Sequence, residues 1–326
     1  MKILLIGGTG RISMSITNKL IKEGHEVWLF NRGSKRVEGA ILLQCDINDE
    51  EKAASLLKNL YFDSVTNFIN YRPEEVKRDI RLFTGKTNQY IFISTASAYQ
   101  KPPVYHIITE STPLYNPFWD YSRQKIECED VLIKEYRNNN FPITIVRPSH
   151  TYDNSSLPVA LHGGSPWQIA KRMLEQKPVI VPGDGLTLWT LTHSIDFAKG
   201  FTGLIGNIRT IGEAYHITSD ECLTWNTIYN EIANALGVKA KLCHIPSDYI
   251  AKKNPKFAGS LLGDKSNNAI FDNSKIKRIV PHFICDIPLT QGVKNTVNYL
   301  LNHKELQKED LEFDNFTEEI IKNFMV

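Results

Sequence analysis

The sequence predicts an α/β fold: a doubly wound parallel sheet with a smaller mixed α/β domain beside it. Three observations predict it. An apolar strand at the start of the chain runs into the glycine turn Gly7-Gly8-Thr9-Gly10, and a helix opens directly after it. Apolar runs of strand length then alternate with helical patterns through the first half of the chain. Several of these runs are nearly continuous in apolar residues, as parallel strands covered on both faces require.

The elements follow in order. Strands are expected over 2–7, 26–31, 41–46, 64–70, 89–95 and 142–147. Between them, helices are expected over 12–23, 48–60, 73–85 and 121–139. Residues 96–120 break the alternation with four prolines and a set of aromatics. That stretch is long for a plain connection, and its ends hold the best candidates for chemistry, so it reads as a lid. After Pro148 the pattern loosens. Helices are expected over 166–176, 195–205, 224–236 and 288–302, and short strands over 178–181 and 213–217. Residues 1–148, with about 186–217 returning to them, form the expected dinucleotide-binding domain. Residues 149–185 and 218–326 form the expected substrate domain. The acidic stretch 308–314 reads as a solvated face.

The totals exclude several classes. The 326 residues are enough for a sizeable core. A formal net charge of +2 gives no electrostatic case for a nucleic-acid partner. Five scattered cysteines with no CxxC pair read as reduced structural thiols, as in the cytoplasm. No apolar run approaches the length that spans a membrane, and the first strand leaves no room for a signal peptide. No histidine shows ligand spacing, so no metal is expected. A homodimer is left open.

Two segments carry the chemistry. Glycine lets backbone N–H groups approach a phosphate, and the helix after the turn points its positive dipole end there. Gly7, Gly10 and Ser13 follow the GxxGxxG spacing with serine in the last place. Downstream, Tyr121 and Lys125 stand four apart on a predicted helix and so share a face. A free tyrosine, with a pKa of about 10, is a poor base at neutral pH, but a nearby ammonium favours its phenolate. Such a pair can take a proton from a hydroxyl while hydride leaves the carbon. Together the segments suggest a nicotinamide cofactor and a proton-moving tyrosine.

At this point the chain resembles the extended short-chain dehydrogenase/reductases, in their NAD-dependent epimerase/dehydratase branch, with a Rossmann-type fold. The resemblance is strong over about residues 1–220. It rests on Gly7-Gly8-Thr9-Gly10, Ser94-Thr95-Ala96-Ser97-Ala98-Tyr99, Tyr121-Ser122-Arg123-Gln124-Lys125, Arg147-Pro148, Gly183-Asp184-Gly185 and His193-Ser194-Ile195-Asp196. It implies Tyr121 as acid/base, Lys125 on the nicotinamide ribose, and Thr95 bonding the reacting oxygen, with Ser94 and Ser97 as alternatives. It also implies cofactor contacts from Gly7, Thr9, Gly10, Arg11, Ile12, Asn31, Arg32, Asp46, Ile47, Phe68 and Pro148. Asp46 could instead cap the following helix. At the end of the second strand an acid would select NAD, whereas Asn31-Arg32-Gly33 stands here. An arginine there can pair with a 2′-phosphate, so NADP is expected, with NAD as the alternative.

The sequence departs from the family at points that bear on the substrate. Dehydratases place an Asp-Glu pair after the threonine, but Ala96-Ser97 follow here, which disfavours dehydration. Nucleotide-sugar enzymes hold a diphosphate with an arginine four residues before the His of His-x-x-Asp. Trp189 stands there, which argues against such a substrate unless Arg172 substitutes. Tyr99, Trp119, His150, Tyr152, Trp167, Arg172 and Trp189 are candidate substrate contacts. The reading is therefore an NAD(P)-dependent oxidoreductase or epimerase acting on a secondary alcohol or ketone of a sugar-like molecule. The alternative comes from a resemblance of the Asn-Arg-Gly turn to plastid RNA-binding proteins of this fold. It is a catalytically weak or inactive dinucleotide-binding protein with an RNA-binding or regulatory role.

Overall fold

The structure is a computed structural model that describes residues 1–324. The first half alternates as expected: β1 (Lys2–Ile6), α1 (Arg11–Lys22), β2 (Glu26–Asn31), β3 (Ala40–Gln44), α2 (Glu50–Leu57), β4 (Ser64–Asn67), α3 (Pro73–Phe83), β5 (Tyr90–Ile93), α4 (Asp120–Asn139) and β6 (Ile143–Pro148). Then come β7 (His150–Tyr152), α5 (Trp167–Leu174), β8 (Val179–Pro182), β9 (Leu188–Trp189), β10 (Leu191–His193), α6 (Ser194–Thr202) and β11 (Ala214–Ile217). The chain ends with β12 (Leu223–Thr224), α7 (Trp225–Ala235), β13 (Leu242–Ile245), α8 (Ser247–Lys253), α9 (Ala258–Ser260), α10 (Ser274–Ile279), α11 (Leu289–Asn302) and α12 (Leu311–Phe324).

Seven strands form one parallel sheet in the order β11-β6-β5-β4-β1-β2-β3. Strand alternation divides the core. Leu4 and Ile6 face one layer with Leu57, Val76, Phe83 and Leu132 of α2, α3 and α4. Ile3 and Leu5 face the other with Ile16, Leu20, Phe197 and Phe201 of α1 and α6. Both faces are therefore covered, which accounts for the continuous apolar runs. Strand order reverses between β1 and β4, and a doubly wound sheet binds ligands beyond the strand ends at such a point.

A second core gathers Trp167, Ile169, Met173, Val181, Trp225, Ile228 and Val293 around α5, α7 and α11. Two segments differ from the expected partition. Trp189 and Leu191 pack in this second core, whereas Ile276 and Phe283 pack under the first sheet. The short strands β7, β9, β10, β12 and β13 were not expected. They are two to four residues long and too short to show a period. The acidic stretch 308–314 is solvated at Lys308, Glu309 and Glu312 but also makes an internal tie. Asp314 accepts from Arg172 at 2.6 Å and Gln168 at 3.0 Å, so the stretch ties α12 to α5. Among the described residues no helix is long and apolar enough to cross a membrane.

Candidate active site

The glycine turn comes first. Gly7 has a φ of 76°, and a Cβ there would lie 2.5 Å from Ile69 Cγ2. Gly10 faces outward, since a Cβ would meet only Ser13 Oγ at 3.4 Å and Gly7 O at 3.9 Å. Ser13 does more than tolerate the third glycine position. Its hydroxyl accepts from Gly10 N–H and donates to Gly7 O, both at 2.8 Å, and so staples the turn. The first N–H groups of α1 have no intrahelical acceptor and open beside Gly10.

A groove of about 450 Å³ lies over this turn. Gly7, Thr9, Gly10, Asn31, Arg32, Asp46 and Ile47 line it. Ser34, Lys35 and Ile69 join them and were not anticipated. Asn31 Oδ1 accepts from Gly33 N–H at 2.8 Å, while its buried Nδ2 has no partner among the described residues. An acceptor from a ligand would satisfy it. Asp46 accepts from Asn48 N–H, and the helix cap is Asp49, which accepts from Lys52 N–H. Phe68 does not line this groove: half-buried, it turns its ring towards Phe201 at 5.9 Å, and Ile69 forms the groove wall. Arg11 is exposed at the first turn of α1, outside the groove lining. Open glycine backbone, helix N–H groups, an unpartnered amide and a cationic rim fit a dinucleotide.

A second cleft, of about 270 Å³, brings together Ile12, Thr95, Trp119, Tyr121, Pro148 and His150. Tyr121 packs against Trp119 at 4.8 Å and Tyr71 at 6.1 Å between ring centroids. Burial pushes its phenol up to about 12, and the Thr95 hydroxyl draws it down. Lys125 is buried behind it and donates to Asn70 O at 2.6 Å and Ile93 O at 2.7 Å. Desolvation pushes this ammonium down to about 8. The expected lowering of the phenol by Lys125 is not found. Nζ lies 5.9 Å from the ring centroid and is committed to two carbonyls, so burial outweighs it. His150 is held well below its ordinary value by burial, with Lys265, His162 and Arg11 adding to the effect.

The helix is held by contacts that the sequence did not announce. Tyr121, Lys125 and Glu129 follow at intervals of four and share a face of α4. Buried Glu129 receives Arg147 of β6 at 2.6 Å and 3.0 Å, and also the Ser94 hydroxyl. Ser122 bonds Ser97 at 2.7 Å. Asn70, whose carbonyl holds Lys125, donates to buried Asp79 at 2.7 Å. The interval of four from Lys125 to Glu129 was the available signal.

Several expected substrate residues do not reach the cleft. Arg172 is fully buried, with Asp314 at 2.6 Å and Glu318 at 2.9 Å engaging its guanidinium, so it holds α12 instead. Trp167 lies in the second core. Trp189 stacks on Trp225 at 5.1 Å and is 2% exposed. Tyr99 is buried with its hydroxyl 3.1 Å from His216 Nδ1, and Tyr152 packs edge-on to His193. Aromatic type alone did not separate core from pocket. Lys101, Asp264 and Lys265 line the cleft and were missed. The 96–120 segment is anchored: Gln100 and Lys101 bond Pro113 O and Tyr115 O, and Ile108 bonds Ile270 O. Asn116 ties it to Gly263 O at 2.7 Å.

Comparison with known proteins adds to this geometry. The model of the NAD dependent epimerase/dehydratase family matches residues 3–84 and 80–218. The chain is 28% identical over 271 residues to the chloroplast stem-loop binding protein of 41 kDa b of Arabidopsis thaliana. That match covers 78% of the chain and 66% of the relative. It is 20% identical over 288 residues to 2′-dehydrokanamycin reductase of Streptomyces kanamyceticus, covering 87% and 80%. Among solved structures, an epimerase of Methanothermobacter thermautotrophicus superposes with a TM-score of 0.77 at 16% identity, covering 94% and 93%.

Proposed function

The chain belongs to the NAD dependent epimerase/dehydratase family, and from that premise we propose that it interconverts a secondary alcohol and a ketone on a sugar-like substrate. One observation carries the reading. Thr95 and Tyr121 line one cleft with Ile12, which stands on the first turn of the helix opened by the glycine turn.

In this reading the substrate oxygen lies between the Thr95 hydroxyl and the Tyr121 phenol. A bound nicotinamide supplies the two-electron redox chemistry. Tyr121 moves the proton. Its phenol, raised to about 12, is protonated near neutrality and donates to the oxygen of a ketone. In the reverse direction it must first lose that proton. Thr95 orients the oxygen and favours the phenolate. Lys125 has three N–H donors and uses two on Asn70 O and Ile93 O, leaving one for a ribose hydroxyl. No acid follows Thr95, where Ala96 and Ser97 stand. Epimerisation or reduction is therefore favoured over dehydration.

We further propose NADP over NAD. Arg32, Ser34 and Lys35 present a guanidinium, a hydroxyl and an ammonium where a carboxylate would select a 2′-hydroxyl. The family name points to NAD, so direct competition between the two dinucleotides is the test. Spectrophotometric screening of sugars and ketones with each cofactor tests the activity.

The name of the plastid relative favours a second reading, binding of a nucleic-acid stem-loop. A net charge of +2 weighs against it. That reading requires RNA binding that survives Tyr121→Phe.

A further inference from the structure

The cleft over Tyr121 carries charge that the proton transfer does not use. Lys101 enters it from the anchored 96–120 segment and is 1% exposed. Among the described residues its ammonium makes no hydrogen bond, and its nearest countercharge is Asp264 Oδ1 at 3.8 Å. Asp264 is closer to Lys265, whose Nζ lies 3.0 Å from Oδ2 and 4.3 Å from the centroid of the Trp189 ring. Two ammonium groups therefore share one carboxylate, and the cluster keeps one net positive charge.

A buried ammonium costs several kcal/mol unless paired and hydrogen-bonded. Among the described residues Lys101 has three donors and no hydrogen-bond acceptor, and its one ion-pair partner, Asp264, lies closer to Lys265. Nearby, His150 Nδ1 is also buried and unpartnered. Asp264 and Lys265 come from a π-helical turn, Leu261–Lys265, and such turns often occur at functional sites. The cleft, about 270 Å³, is at the small end of ligand sites, matching a single-ring molecule.

We propose that this cleft takes a substrate bearing an acidic group, a sugar carboxylate or sugar phosphate, with Lys101 and Lys265 as its counterions. The proposal rests on the reading of this cleft as the substrate site. The acid seats on the Lys101 ammonium, which makes no hydrogen bond among the described residues. Asp264 stays neutralised by Lys265 and limits the site to one added negative charge or little more.

The test is calorimetric and needs no turnover. Wild-type protein with saturating dinucleotide is titrated with D-glucuronate, glucose 6-phosphate and neutral D-glucose. At least one acid should bind at least tenfold more tightly than D-glucose, and the two acids distinguish carboxylate from phosphate. Lys101→Gln should remove that preference while glucose and dinucleotide affinity stay within about twofold. Lys265→Gln serves as a second variant and should also reduce the preference. Acids binding no better than glucose, no binding of any of the three, or a preference surviving both substitutions would each overturn the proposal. Failure of the redox reading would appear separately, as turnover unaffected by Tyr121→Phe.

Discussion

Glu129 of α4 and Arg147 of β6 meet at 2.6 Å in the interior, and this pair sets the rotation of the helix that carries Tyr121 and Lys125. Glu129 is fully buried and Arg147 nearly so. The Glu129 carboxylate holds the Arg147 guanidinium above its ordinary range despite burial. Removing one partner leaves an uncompensated buried charge. Glu129→Gln should therefore destabilise the protein by about 3–5 kcal/mol, measured by urea unfolding. The double substitution Glu129→Gln with Arg147→Met should recover part of the loss. An unchanged unfolding midpoint in Glu129→Gln would show that the pair does not hold the helix.

The dinucleotide groove makes its own prediction. Gly10→Trp should fill the open space beside the first turn of α1 and abolish dinucleotide binding in a folded protein. Arg32→Ala should weaken NADP by about tenfold and NAD much less, because a charge-assisted bond to the 2′-phosphate is lost. Calorimetry on both cofactors checks this, and equal losses would reduce Arg32 to an adenine contact.

Stability should depend on pH through buried neutral histidines. His216 is buried with Nε2 2.8 Å from Asp272 O and Nδ1 facing the Tyr99 hydroxyl. Burial lowers its pKa; Glu110 opposes this and Arg147 adds to it. Desolvation likewise lowers His150 and His193. A histidine whose folded pKa is lowered binds protons better when unfolded. Its contribution is complete above the unfolded value of about 6.5 and is lost as pH falls from there towards the folded value. Melting temperature should hold from pH 8 to 7 and fall between about pH 6.5 and 5. His216→Gln should flatten part of that fall. A melting temperature that is level down to pH 5 would count against neutral burial.

The fold was legible because its signals are local and redundant. Ile3, Leu4, Leu5 and Ile6 read as a strand buried on both faces, and each goes to a sheet face as alternation requires. Gly7 marked the groove because its φ of 76° favours glycine, and Gly10 because its lack of a side chain leaves the space beside the first turn of α1 open. Tyr121 and Lys125 were visible from their spacing. Lys101, Asp264 and Lys265 were not, because their meeting depends on the 96–120 segment crossing to residues 263–272, far away in the chain. Trp167, Trp189 and Arg172 misled for a related reason. Aromatic and cationic side chains serve a core or a helix anchor as readily as a pocket, and only the packing of α5, α7 and α12 decides which.

The Tyr121 phenol, pushed up to about 12, also fixes how rate should vary with pH. A raised pKa keeps the proton donor loaded across the accessible range. Ketone reduction should therefore not decline through loss of that proton between pH 6 and 9. Alcohol oxidation, which needs the phenolate, should rise with pH over the same interval. Steady-state rates in both directions check this, and an oxidation rate that levels off near pH 7 would place the phenol's pKa far lower.

In the proposed function Tyr121 moves the proton beside Thr95 in a dinucleotide-dependent alcohol–ketone conversion. The most direct measurement is turnover of Tyr121→Phe, with dinucleotide affinity determined on the same preparation. The phenylalanine keeps the ring against Trp119 and Tyr71 and removes only the hydroxyl. If Tyr121 moves the proton, kcat falls by about 10²–10⁴-fold with dinucleotide affinity nearly unchanged. Wild-type turnover in the folded variant would contradict it.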